Sequence, residues 1–462
     1  MKGGSFPSGG FFPGGSSFPW FRVTLAATVF LFPIPAVAQA GSPAGPVPVE
    51  RLAARRAALL DSLGTGVAIL RSAEIRSIDD DYPQDGVYRE DNDFFYLTGL
   101  EAPGGWLVLV ARADSNDKAI LYLPEPDSAR EKWSGTRPGP GSEATRVSGI
   151  ATVRPAAAAE SEIQRLIFGS GSPARAGALY LRRGPREIES PFFQRLVFSD
   201  RTLGPPVRIA DLSARTARLR LIKDPEEVRR LRRAIEITGQ GLSAAMEAAE
   251  PGMHEYELEA RLEYVFRRDG AERLGFPSII GSGPNSTTLH YDRNRRQTQA
   301  GDLVVMDVGA EYGYLTADIT RTIPISGRFT PRQRALYDLV LGAQQAAIDS
   351  VRPGVDLRHL GRIARDYMRA HSDTLCGSAP CDRYFVHGLS HWLGMNVHDV
   401  GSYASMLAPG MVFTVEPGIY IPEERLGIRI EDDVLVTADG GEVLSAGIPR
   451  TAGQVEAAMR AR

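Results

Sequence analysis

The chain is 462 residues long, 24% charged and 43% hydrophobic, with a formal net charge of -3. That is too long for one ordinary core and too balanced in composition for a disordered or multi-span membrane protein. With no basic excess to neutralise phosphates, the charge argues against a nucleic-acid partner.

The first forty residues read as a leader. An apolar stretch from Val23 to Ile34 follows Arg22 and precedes Ala36-Val37-Ala38-Gln39-Ala40, which is the basic, greasy and small-residue order of an export signal. Cleavage is expected near Ala38 or Ala40, giving an exported protein with no stable membrane span once the leader is gone; an uncleaved anchor is the alternative. Residues 41–215 mix helix and strand patterns: a helix from Arg51 to Leu63, a buried strand from Gly66 to Leu70, and a strand pair at Gly105 to Ala111 and Ala119 to Leu123. A boundary is expected around Thr202 to Arg208, where Gly204-Pro205-Pro206 interrupts the pattern.

Residues 216–462 open on a helix start. Asp224 caps, Pro225 occupies the first turn and Glu227 closes a capping box. Val228, Leu231, Ile235, Leu242 and Met246 then recur at helical spacing. The basic run Arg229-Arg230 and Arg232-Arg233 reads as the wet face of that helix. Thr330-Pro331-Arg332-Gln333 repeats the start, with Leu336, Leu339 and Ala343 following. An amphipathic stretch comes after each helix, from His254 to Arg268 and from Leu357 to His371, and strand-like sequence comes after each pair. The pattern suggests an internal duplication whose copies enclose a cleft. Cys376 and Cys381, the two cysteines of the chain, suit a local disulfide in an oxidising compartment.

Two strands, Asp302 to Gly309 and Tyr314 to Thr320, are separated by a turn around Tyr312-Gly313. A turn centred there sets Asp307 directly opposite Asp318, with Cβ atoms about 5 Å apart. Bare carboxylates at that distance repel, and a pair of divalent ions about 3.5–4 Å apart would be served by them; a hairpin with two solvent-facing acids is the plainer alternative. His387, His391 and His398 crowd one glycine-punctuated segment. Glu416 ends a β-rich run, and Gly427 to Val434 alternates so that Arg429 and Glu431 share one strand face. Acids in otherwise apolar strands are costly unless paired or metal-bound.

The strings MDVGAEYGYLTADITRT, HGLSHWLGMNVHDVG, TVEPGIYI and IRIEDDVLV together resemble the aminopeptidase P and prolidase group of the creatinase-like peptidases. That resemblance implies an α/β (α+β) pita-bread catalytic domain behind a smaller mixed α/β N-terminal domain. The segments Tyr88 to Gly99 and Glu131 to Gly135, with Arg137, are similar to the latter. It implies Asp307, Asp318, His391, Glu416 and Glu431 as the ligands of two divalent metal ions. An oxygen-rich set of this kind suits Mn, with Co or Zn tolerated, and the bridging water between the ions becomes available as hydroxide. Glu416 is expected also to take the proton from that water. The resemblance also implies that His290, His387 and His398 hold the substrate and donate to the developing oxyanion and that Arg429 orients the carboxylates; Tyr420, on the strand after Glu416, is expected either to reach the cleft or to serve packing.

The activity so implied is release of the N-terminal residue from short peptides with proline second, by a homo-oligomer. The alternatives are an Xaa-Pro dipeptidase, a metal-free peptide-binding protein and, more remotely, a creatine hydrolase. The loop from Gly401 to Pro409 has no basic residue, where relatives often carry a charged one.

Overall fold

The computed structural model describes residues 43–74, 88–114, 117–182, 191–198 and 207–460. The expected leader and the Gly204-Pro205-Pro206 break lie outside them. Among the described residues no helix is long and apolar enough to cross a membrane.

The N-terminal part is built on one mixed six-stranded sheet. Its strands are β1 (Gly66–Arg71), β2 (Trp106–Ala111), β3 (Lys118–Leu123), β4 (Thr152–Pro155), β5 (Ala178–Leu181) and β6 (Ile209–Asp211), in the order β4-β3-β2-β1-β5-β6. Both faces are buried, as the period of two along β1 shows. Val67 and Ile69 pack with Ile163, Ile167 and Phe192 from one helical layer. Ala68 and Leu70 face the other way, toward Leu59 of helix α1 (Val49–Leu63) and toward Leu231, Leu315 and Met395 of the C-terminal part. The apolar contact between the two parts is therefore continuous with a domain core.

A helix at Ser213–Leu221 carries the chain from one part to the other. Its Arg220 is buried and bonds Asp93 at 2.7 Å and Asp399 at 2.5 Å. Helix α2 (Pro225–Ala248) then starts on the Asp224 and Glu227 capping box, and the expected apolar face is buried at Leu231, Ile235, Leu242 and Met246. The basic run on it is not uniformly wet. Arg230 is buried, bonding Glu226 and the carbonyls of Gly313 and Gly45, because the i−4 acid and the hairpin below neutralise its head while α2 covers its stem. Helix α3 (Glu255–Arg268) packs against α2. Helix α4 (Pro331–Ile348), again with a capping box, at Thr330 and Gln333, packs against α5 (Leu357–Ala370).

Behind α3 come β7 (Arg273–Leu274), β8 (Ile279–Ser282), β9 (Leu303–Val308), β10 (Ala310–Tyr312), β11 (Leu315–Thr316) and β12 (Ile319–Pro324). Behind α5 come β13 (Val412–Val415), β14 (Gly418–Ile421), β15 (Leu426–Arg429), β16 (Asp432–Val436) and β17 (Gly441–Val443). All pairings in these sheets are antiparallel. Cys376 and Cys381 form a disulfide with Cα atoms 5.2 Å apart.

Two local readings need correction. Asp307 faces Thr320, not Asp318, because Tyr312 pairs with Leu315 and the turn is Gly313-Tyr314. Both turn residues have positive φ, 59° and 69°, the requirement of a two-residue type I′ hairpin. Tyr314 adopts it because its ring is fixed on every side: stacked 3.7 Å from Phe95, flanked by the Arg89 and Arg273 guanidiniums, its hydroxyl donating to Glu101 at 2.6 Å and accepting from the Glu90 amide at 2.9 Å. The segment from Gly427 to Val434 is likewise not one strand. It breaks at Ile430 and Glu431, leaving the β14-β15 ribbon for the β13-β16-β17 sheet.

Candidate metal centre

Backbone hydrogen bonds bring the expected residues together. Asp307 lies on β9 and Asp318 just before β12. The Glu431 amide donates to the Thr320 carbonyl on β12 at 3.1 Å, drawing the second half of the chain onto the first. The Thr414 amide donates to the His391 carbonyl at 3.0 Å and the Glu416 amide to the Leu389 carbonyl at 2.9 Å, which seat the histidine segment against β13.

The side chains converge accordingly. His391 Nε2 lies 3.2 Å from Asp318 Oδ2 and 3.4 Å from Glu416 Oε1. One donor atom each of Asp318, His391 and Glu431 lies within 4.8 Å of the others. Asp307 joins them through Arg429 Nη2, 2.5 Å from its Oδ2, while its Oδ1 is buried with no hydrogen-bond partner. Burial, followed by the Asp307, Asp433 and Glu416 charges, holds the Asp318 carboxyl well above the usual carboxylate range. Glu431 is raised in the same way by burial and then by Asp318, Glu416 and Asp307. Glu416 is also raised by burial, against the pull of His391 and Arg429.

Four acids in one buried cluster with a single guanidinium beside them are short of positive charge, and one oxygen lacks any partner. Both features fit divalent cations held by these five side chains, a hard, oxygen-rich donor set.

Three side chains outside the expected set support the ligands. Thr320 donates to Glu431 Oε2 at 2.5 Å and accepts from Arg429 Nε at 3.1 Å. The Thr414 hydroxyl accepts from the His391 amide and donates to Glu416 Oε1, both at 3.1 Å. Asp433 Oδ2 accepts from the Asp318 amide at 3.2 Å. Each threonine sits two residues from a ligand along extended chain, hence on the same face; that spacing from Asp318 and Glu416 is the signal that could have found them.

A cleft of about 890 Å³ opens over the cluster, lined among others by His290, His387, His398 and Tyr403. His398 packs edge-on to His391 with centroids 4.3 Å apart, and His290 lies 6.3 Å from His398. His387 is held on both sides. Its Nδ1 is 2.7 Å from the Gly388 carbonyl and its Nε2 2.9 Å from the Tyr420 hydroxyl. A carbonyl accepts only, so the ring proton sits on Nδ1, and Nε2 accepts from Tyr420, whose oxygen in turn accepts from Arg429 Nη1 at 3.0 Å. Burial and then the Arg429 charge push the His387 imidazole down to about 4, while burial pushes the Tyr420 phenol up to about 12. Tyr420 is buried and does not line the cleft; it links Arg429 and His387, which both do.

Residues 229–438 match metallopeptidase family M24, and residues 52–173 match the aminopeptidase P N-terminal domain. The Xaa-Pro aminopeptidase of Escherichia coli (strain K12) is 35% identical over 88% of this chain and 96% of that protein. The chain belongs to metallopeptidase family M24. Among solved structures, proline aminopeptidase P II from Yersinia pestis superposes with a TM-score of 0.81 at 34% identity, over 90% of this chain and all of that one. Zn-substituted E. coli aminopeptidase P in complex with product gives 0.80 at 33% identity, over 90% and 99%. The likeness makes the C-terminal part of this M24 peptidase a pita-bread catalytic domain, preceded by a smaller mixed α/β domain.

Proposed function

We propose that this M24 peptidase is an exported Xaa-Pro aminopeptidase, acting with two Mn ions on short peptides whose second residue is proline. The convergence of Asp307, Asp318, His391, Glu416 and Glu431 under one open cleft carries the reading. The relatives named above support the specificity, and the Cys376–Cys381 disulfide suits an oxidising compartment. A homo-oligomer is proposed with it.

Those five side chains would hold the ions, which when bound supply an activated water and polarise the scissile carbonyl. Glu416, steadied by the Thr414 hydroxyl, is assigned to accept the proton from the attacking water and pass it toward the leaving nitrogen of proline. His290 and His398 face the cleft and are assigned to the substrate carbonyl, where a donor is most effective as negative charge develops. His387 holds Tyr420 through its Nε2, and Arg429 fixes Asp307.

The test is a Mn-supplemented panel of Xaa-Pro dipeptides and Xaa-Pro-Yaa tripeptides, run on the protein without its leader and on Asp318→Ala. The reading expects tripeptide cleavage that Asp318→Ala lowers by three orders of magnitude or more, about 4 kcal/mol. Cleavage of dipeptides alone would make the protein a dipeptidase. Equal rates for the two proteins would remove the metal centre from the mechanism.

A further inference from the structure

Helix α5 turns three arginines toward the cleft, Arg358, Arg362 and Arg365. Their i, i+4, i+7 spacing places them on one helical face. Arg365 is committed to structure: Nη1 donates to the Phe385 carbonyl at 2.7 Å, Nη2 to the His387 carbonyl at 2.9 Å, and its guanidinium lies 4.4 Å from the Phe385 ring centroid. The other two are not so held. Arg358 is exposed and makes no hydrogen bond or ion pair among the described residues. Arg362 is exposed as well, and its one partner is the ring nitrogen of His359, 3.2 Å away on the same helix.

Nothing acidic on the cleft wall answers them. Four of the lining acids belong to the candidate metal cluster, where divalent ions would balance them, and the fifth is Asp292, which bonds neither arginine. The loop from Gly401 to Pro409 contributes Tyr403 to the same cleft but no basic residue. Unpaired positive charge in the open part of the site therefore comes from α5. Arginine keeps its charge at every working pH and presents a planar fork that matches a carboxylate.

A short peptide brings one ammonium and at least one carboxylate. The ammonium belongs to the residue that is released, so it lies within one residue of the scissile bond, and a guanidinium pair repels it. The carboxylate lies beyond proline, on the part that leaves. We propose that Arg358 and Arg362 bind a carboxylate of the substrate on the far side of proline, making the enzyme selective for peptides that end there or carry an acidic side chain there. This inference rests on the Xaa-Pro aminopeptidase reading and names the substrate class of that same site.

The experiment compares three substrates on the Mn-loaded enzyme: Ala-Pro-Ala as free acid, Ala-Pro-Ala amide and Ala-Pro-Glu amide. The free acid is expected to show a KM about tenfold below that of the amide, the worth of one charge-assisted hydrogen bond, with kcat unchanged. Arg358→Ala/Arg362→Ala should erase the difference by raising KM for the acid alone, Arg358→Lys/Arg362→Lys should keep part of it, and rising ionic strength should shrink it. Both arginines are exposed, so an unchanged Tm is expected for each variant. Recovery of the low KM with the glutamyl amide assigns the pair to any carboxylate at that depth, and no recovery assigns it to the chain terminus; either result supports the proposal. Equal KM for acid and amide in the wild type, or a preference that survives the double alanine variant, overturns it while leaving the aminopeptidase reading intact. Failure of the wild type to cleave any of the three overturns both.

Discussion

Arg429 shows how much of the site depends on one planar group. Its Nη2 meets Asp307, its Nη1 meets Tyr420 and its Nε meets Thr320, all in a buried setting. Lysine keeps the charge but supplies a single flexible point in place of three directed donors. Arg429→Lys is therefore expected to weaken Mn affinity about 10–100-fold, seen as a rightward shift of activity against Mn concentration. A variant that titrates like the wild type would show that the guanidinium does not orient the ligands. The five residues expected as ligands were legible before the fold was known through the resemblance of their strings to a peptidase group, while chemistry alone marked Glu416 and Glu431 as costly acids in apolar strands and His391 as one of three crowded histidines. Thr320, Thr414 and Asp433 were not. Threonine is ordinary in a strand, and its value here arises only once β12, β13 and the Glu431 segment are side by side.

At the scale of elements, the hairpin between β10 and β11 explains why an imperfect reading still found the site. Centring the turn one residue early shifts the expected register by two, which keeps every side chain on its proper face. Asp307 and Asp318 consequently converge although they are diagonal rather than opposite. What the pattern could not reveal is that Tyr314 occupies a left-handed position, since its ring is secured by Phe95 and Glu101, hundreds of residues away in sequence. The break at Ile430 and Glu431 was hidden for a similar reason: alternation continues through it, and the change of sheet is imposed by partners elsewhere. Helices α2 and α4 were legible at their starts because a capping box is a local device. The turn itself is testable at Gly313. A Cβ there would stand 2.7 Å from the Ala44 Cβ and 2.9 Å from Arg230 Nη1, at a φ of 59°. Gly313→Ala is expected to cost about 1–2 kcal/mol from the left-handed backbone alone, with the contact added. The urea midpoint of metal-free protein measures it, and a midpoint equal to the wild type's would mean that the turn relaxes freely.

Across the whole catalytic part, the ligands are divided between its two halves. Asp307 and Asp318 come from the strands that follow α2 and α3, while His391, Glu416 and Glu431 come from the chain that follows α4 and α5. Hydrogen bonds cross this divide at several points around the cluster, among them the Glu431 amide on the Thr320 carbonyl, the Asp318 amide on Asp433 and Arg429 on Asp307. Without cations the four acids oppose the closure, since each carboxyl must be desolvated beside others of like charge. Cations reverse the sign, and because the five donors are gathered only in the folded chain, binding adds to folding stability. At a free metal concentration one hundred times Kd the gain is about 2.7 kcal/mol for one site. Chelated protein is therefore expected to melt several degrees lower than protein in excess Mn, and the shift should rise with the logarithm of metal concentration. Asp318→Ala separates this from nonspecific salt effects. Removing one acid relieves repulsion in the metal-free state, so that its chelated form should melt no lower than the chelated wild type, while the response to Mn should largely disappear. Wild-type protein whose melting temperature ignores both chelator and Mn would show that the two halves close without help from the ions, and the metal would then serve chemistry alone.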